Sequence, residues 1–257
     1  MKPESPTSCI PRCVPFTAAR DAQSFEHGED WFRLRGSDFG EMSTDTDKHQ
    51  DTRERLLEAA GEVFAERGFR AATVREISRL AHANVAAVNY YFGDKEMLYT
   101  AVLEYCFRSA VKKYPPDLGL SEEATTEERL HAFVLSFLYR VLDEGRPAWH
   151  GRLMAREIAE PTKALDHLVV TVIRPLHERL GVIVRELLGT VPSEQFIRRC
   201  VLSVIGQILF YHYCRPTLGR LYAEEFERRG IDSLARHITR FSLNALRGLA
   251  GAENMKD

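Results

Sequence analysis

The side chains with the clearest chemistry sit in one short run. Asn84-Val85-Ala86-Ala87-Val88-Asn89 places two carboxamides around four small apolar residues. A carboxamide offers a donor and an acceptor side by side, the pattern that pairs with a base edge. Valine and alanine suit the methyl group of thymine. Ala86 and Ala87 would also let a helix backbone come close to its partner. Nearby, Thr73 has the type and position to cap a helix whose free N–H groups favour a phosphate. Lys95 stands at the start of another helix, where its charge opposes the helix dipole, and a phosphate contact would account for it. The same composition also suits a packing face in a helical bundle, so spacing alone leaves both readings open.

Other chemistries find no support. There is no glycine-rich phosphate loop, no His-Glu-x-x-His pair and no nucleophile elbow. His131, His150, His167, His177 and His212 are spread without ligand spacing. Cys9 and Cys13 have no second ligand pair near them, so no metal site is expected. No enzyme, metal or cofactor is predicted. Trp149, His150, Met154, Tyr211 and His212 are aromatic or polar residues within apolar segments, which makes them candidates to line a ligand pocket. Each is individually better suited to plain packing.

The elements that must position these groups are helical. Leu56, Leu57, Ala60, Val63 and Phe64 form one apolar stripe, which Gly68 ends. Thr73 and Glu76 have capping-box spacing at the start of a short helix ending near Leu80. Asn84 caps a second short helix, Val85 to Tyr91, about four residues on, and this is the spacing of a helix-turn-helix. Gly93 and Asp94 open a long fourth helix bearing Leu98, Ala101, Val102 and Tyr105. Thr125 to Glu128 form another capping box. Thr162 starts a long helix that Pro175 should kink. Pro192 and Ser193 open a helix apolar nearly all round from Phe196 to Leu209, which must be buried on all sides, for example by a partner subunit. Ile231, Leu234, Ile238, Phe241 and Ala245 mark the last helix.

Composition agrees. The chain has 257 residues, 44% hydrophobic and 28% charged, with only 16 glycines and 11 prolines, which suits a nearly all-helical protein. A formal net charge of -2 means that any nucleic-acid surface must be local. No stretch is apolar for long enough to cross a bilayer. Five scattered cysteines and the absence of a signal peptide predict reduced thiols in a cytoplasmic protein. Residues 1–50 lack periodicity and read as a disordered tail, with Met42 as an alternative start.

The stretch from Arg53 to Leu98 resembles the N-terminal domain of TetR/AcrR-family regulators. The resemblance lies in Leu56, Leu57, Ala59 and Ala60, in Phe64-Ala65-Glu66-Arg67-Gly68-Phe69, in Thr73-Val74-Arg75-Glu76-Ile77-Ser78, and in Tyr91-Phe92-Gly93-Asp94-Lys95-Glu96 with Leu98. It implies that Val85 to Tyr91 is a recognition helix and that Thr73, Tyr90 and Lys95 occupy phosphate-contact positions. The base-reading set would be Asn84, Val85, Ala86, Ala87 and Asn89. His82 departs from the glycine usual in the turn, and Asn89 from a tyrosine. Residues 160–168 and 173–180 look like the CecR-like subgroup.

The implied architecture is all-α. A small three-helix helix-turn-helix domain (51–114) is joined by its long fourth helix to a larger ligand-binding and dimerisation domain (115–250), with 251–257 as a tail. The implied function is that of a homodimeric repressor. It would bind a palindromic operator in double-stranded DNA and be released by a small-molecule inducer. An architectural DNA binder of the same fold, without an inducer, is the alternative.

Overall fold

The computed structural model describes residues 43–142, 147–189 and 193–253. Cys9, Cys13, Met42, Pro192 and the tail 254–257 lie outside these residues.

Helix α1 runs Ser43–Ala71, with a break at Gly68, whose φ of 76° and ψ of 168° are open to glycine but costly for other residues. The helix therefore starts earlier than expected. The polar stretch 43–50, read as tail, forms its first turns, where Gln50 donates to Glu54 at 2.7 Å and His49 hydrogen-bonds the Tyr91 hydroxyl. His49 and Gln50 are exposed, and a polar run of this kind carries no periodic apolar signal.

Helices α2 (Val74–Leu80), α3 (Val85–Phe92) and α4 (Lys95–Lys113) follow. Each begins on the cap that its sequence announces. Thr73 Oγ1 accepts from Glu76 N, Asn84 Oδ1 from Ala86 N, and Asp94 Oδ1 from Met97 N. The second half of the Thr73–Glu76 box is absent, because the Glu76 carboxylate pairs with Arg67 Nε at 2.8 Å instead. At α5 (Thr126–Leu142) the box is reciprocal: Thr125 Oγ1 accepts from Glu128 N, and Glu128 Oε2 accepts from Thr125 N.

Beyond α6 (Ala148–Ala159), Thr162 caps α7 (Lys163–Leu168) as expected. The disturbance attributed to Pro175 begins one turn earlier, as a π-helical segment over Val169–Ile173, before α8 (Arg174–Leu188). Proline has no N–H to serve the carbonyl four residues back. The ladder shifts to five-residue spacing there, with Arg174 N donating to Val169 O. Helices α9 (Glu194–Tyr213), α10 (Arg215–Leu221) and α11 (Arg228–Glu253) complete the chain. No strand occurs among the described residues, and no described helix is long and apolar enough to cross a membrane.

Two apolar cores organise the helices. One gathers α1 to α4 around Phe64, Ile77, Val88, Leu98 and Tyr99, and it also takes in Trp149 and Leu153 of α6, Ala164 and Leu168 of α7, and Val172. The other packs α5, α8, α9 and α11. Helix α9 is buried along Ile197, Val201, Val204 and Ile208 but exposes Leu202, Gly206 and Phe210. Within one chain it is thus covered along one side and open along the other. The last helix behaves alike: Ile231, Leu234 and Ile238 are buried, while Phe241 and Ala245 face outward.

Candidate nucleic-acid interface and regulatory cavity

Helix α3 has a sharp division of faces. Val88 is fully buried and Phe92 nearly so, which makes them its anchor on the first core. Val88 therefore cannot meet thymine methyls, as its composition had suggested. Ala87 is half-buried against the same core and forms the flank of the exposed face rather than its centre. What stands outward is Val85, Ala86, Asn89 and Tyr90, spaced as one helical face.

The two carboxamides differ. Asn84 uses its oxygen to cap α3, so while it caps it cannot offer the paired donor and acceptor that adenine needs. Asn89 is exposed, and its side chain makes no hydrogen bond among the described residues, so it keeps both groups for a partner. Tyr90 is 72% exposed, far more than a core residue would be. Thr73 is exposed at the start of α2, its hydroxyl oxygen on Glu76 N.

The Lys95 ammonium is engaged within the protein. It donates to Phe69 O at 2.9 Å, Ala72 O at 3.0 Å and Arg70 O at 3.4 Å, and it sits 4.7 Å from the centre of the Phe69 ring. These carbonyls end α1, where a cation is favourable. The charge that looked misplaced at the start of α4 is well placed at the end of α1.

Sequence reasoning missed two arginines. Arg75 and Arg79 are exposed, one turn apart on α2, and form no ion pair among the described residues. The Thr73-Val74-Arg75 string held the first in view, but its cap drew the attention. His82 in the turn has φ of 50°, a left-handed conformation costing a non-glycine residue roughly 1–2 kcal/mol. Replacing His82 with glycine should therefore raise stability by about 1 kcal/mol, because glycine's extra unfolded-state freedom offsets only part of the relief. A denaturant midpoint that stays put or falls would count against strain in this turn.

The second candidate site is a cavity of about 260 Å³ among α4, α5, α6, α8 and α9. Of the predicted pocket residues, His150, Met154 and His212 line it. Trp149 and Tyr211 do not. Trp149 instead lies on α1, where a Cβ built on Gly61 would fall 2.3 Å from its ring, and its Nε1 donates to Glu58 Oε2. Tyr211 packs against the second core. Reasoning from sequence overlooked Arg140, Phe133 and Phe137 of α5, together with Ile173, Leu176 and His177 around the π segment.

Helix α6 belongs to both sites. One face gives the cavity His150, Gly151, Met154 and Ile158. The opposite face grips the helix-turn-helix unit. Trp149 and the Tyr105 hydroxyl both donate to Glu58 of α1, and burial with that bond pushes the Tyr105 phenol up to about 12. Arg156 Nη2 donates to Glu66 O. Glu157, with no exposed surface, accepts from the Tyr99 hydroxyl at 2.7 Å and from Thr162 N and Oγ1 at 2.8 and 3.0 Å. Burial, reinforced by this carboxylate, drives the Tyr99 phenol far above its usual range.

Two short helices at helix-turn-helix spacing, the second with an exposed face, match what similar proteins are. Residues 56–102 match the model for bacterial regulatory proteins of the tetR family, and residues 126–246 match the C-terminal domain of the HTH-type transcriptional dual regulator CecR. The HTH-type transcriptional repressor NicS of Pseudomonas putida is 32% identical over 205 residues, spanning 77% of this chain and 92% of NicS. The chain belongs to the TetR family. CecR of Shigella flexneri is 26% identical over 67% of this chain and 81% of its own. The fold is shared with a transcriptional regulator from Rhodococcus sp. RHA1, at a TM-score of 0.55 and 16% identity over 75% of this chain and 96% of that one. It is likewise shared with PfmR of Thermus thermophilus, at a TM-score of 0.51 and 16% identity over 74% and 97%. This TetR-family protein is therefore a DNA-binding transcriptional regulator with a CecR-like C-terminal part, and the families it matches are not enzymes.

Proposed function

We propose that the protein is a dimeric repressor that reads a palindromic operator with α3 and leaves it when a small molecule fills the cavity. The observation that carries this reading is the double duty of α6, which lines the cavity with one face and holds α1 and α4 with the other. A ligand that moved His150 or Met154 would move Trp149 and Glu157 with them. Because the helix-turn-helix packs on those side chains, its orientation depends on cavity occupancy, which is the differential interaction that regulation needs. Asn89, Val85 and Ala86 read bases, with Ala87 at the edge of the contact and Asn84 chiefly a cap. Tyr90, the Thr73 hydroxyl, Arg75 and Arg79 hold phosphates. Lys95 sets the angle between α1 and α2 rather than meeting the DNA.

The exposed Leu202, Gly206 and Phe210 of α9 and Phe241, Ala245 and Leu249 of α11 supply a dimer face, which would set two recognition helices on one side of a duplex. Selecting bound sequences from a random DNA pool tests the reading. Enrichment of one palindrome, with half-sites about one helical turn or a multiple apart, is expected. Broad footprints with no enriched palindrome would mean an architectural binder instead.

A further inference from the structure

Helix α3 carries no charged residue. It reads Val85-Ala86-Ala87-Val88-Asn89-Tyr90-Tyr91-Phe92, and its outward face is Val85, Ala86, Asn89 and Tyr90. Arginines stand on the flanking helices instead. Arg75 and Arg79 are exposed on α2, and the exposed Arg53 of α1 lies 5.4 Å from the centre of the Phe92 ring. Lys95 is turned to the carbonyls that end α1. Cations on the flanks suit phosphates, which position a protein on a duplex but carry no sequence information. The reading of bases is left to an uncharged face.

Base edges differ in what they ask of such a face. Guanine shows two acceptors to the major groove and is met by arginine or lysine, while the cytosine amino group is met by aspartate or glutamate. None of these four residue types occurs on α3. Adenine shows an acceptor and a donor side by side, the complement of a carboxamide. Asn89 supplies that carboxamide from an exposed position. Against guanine its oxygen would face a second acceptor. Asn84 cannot make the same choice, since its oxygen holds Ala86 N at 3.0 Å. Val85, 44% exposed, and Ala86 offer only methyl groups, which suit the methyl of thymine. From Val85 to Asn89 the helix advances about 6 Å, or roughly two base-pair steps.

We infer that each operator half-site presents an A·T core to α3, with adenine against Asn89 and thymine about one or two steps away against Val85 and Ala86. This rests on reading α3 as the recognition helix, but it names the bases, which that reading leaves open. Asn89 is then the specificity-determining residue for adenine. Guanine or cytosine at these positions would meet methyl groups or a mismatched carboxamide, and polar base edges would lose their water without gaining a partner.

Selection of bound sequences from a random DNA pool with the full chain, run beside Asn89→Ala and Val85→Ala, tests this. Both side chains are exposed, so the variants should melt with the parent. The parent should enrich half-sites holding an adenine preferred over the other bases by roughly five- to a hundredfold, and Asn89→Ala should lose that preference at this position alone. Replacing that adenine with 7-deazaadenine removes the N7 acceptor. The change should weaken binding of the parent and leave Asn89→Ala indifferent. Deoxyuridine for the neighbouring thymine removes its methyl group and should cost the parent about two- to fivefold in affinity, and cost Val85→Ala less. An Asn89-dependent position that selects guanine or cytosine, an Asn89→Ala variant with every preference intact, or a parent indifferent to either analogue would overturn the inference. Any of these beside an enriched palindrome defeats the bases assigned here and leaves the operator reading standing. Enrichment of no palindrome defeats the operator reading, and this inference with it.

Discussion

Lys95→Met is expected to lower unfolding stability by about 2–3 kcal/mol, although the side chain is partly exposed and lies in no core. The loss follows from geometry. One ammonium serves the carbonyls of Phe69, Arg70 and Ala72. Bonds from a charged donor contribute more than neutral ones, and a methionine returns only the packing of its stem. In a chain of this size such a loss moves the melting midpoint by roughly 5–10 °C. Operator affinity should fall too, because the end of α1 fixes where α2 begins. The salt dependence of binding should keep its slope, however, since the ammonium is engaged with backbone. A phosphate contact would instead flatten that slope by about one unit with little change in melting. Measuring both quantities on one variant separates the roles, and a stable variant with a flattened slope would reject the one assigned here.

A larger effect is expected at Glu157. Its carboxylate ties α4 to α6 through Tyr99 and closes the corner into α7 through Thr162. Glu157→Ala strands a buried hydroxyl and a backbone N–H and leaves a cavity, at a cost of about 4 kcal/mol. Glu157→Gln keeps the volume and one acceptor oxygen, so about half that loss is expected. Tyr99→Phe removes one bond and should cost about 1 kcal/mol. In the double variant the two losses should not add, because the Tyr99–Glu157 bond is counted in both. Chemical denaturation supplies all four values. An alanine variant within 1 kcal/mol of the parent would show that the helices are held by apolar packing alone.

The parts legible in the sequence are those decided over a few residues. Caps at Thr73, Asn84, Asp94, Thr125, Thr162 and Ser193 each need only the next turn of chain, and each is present. The apolar stripe of α1 and the two short helices follow from periodicity in the same way. Illegible were the pairings that cross the fold. Lys95 meets a carbonyl 26 residues away and Trp149 a carboxylate 91 residues away. Nothing within a helical turn of either residue signals its partner. Arg140 was passed over because an arginine in an apolar run reads as a side chain reaching for solvent, and only packing shows it turned inward. Val88 was misjudged because a face three residues wide cannot be assigned from so short a helix. The ordered family signature carried the helix-turn-helix past that ambiguity.

The first core has a bearing on modularity. Its walls include Trp149, Leu153, Ala164, Leu168 and Val172, contributed from well past the end of α4. A fragment cut after Tyr114 would lose these walls and lay bare the apolar surface beneath them. The segment that reads DNA is therefore not a cassette that recombination could move alone. Exchange between relatives would have to carry α6 and α7 with it, or find a recipient already fitted to Gly61 and Glu58. Substitution on the outer face of α3 can drift alone, whereas the junction of α1 and α4 with α6 and α7 is inherited as one piece.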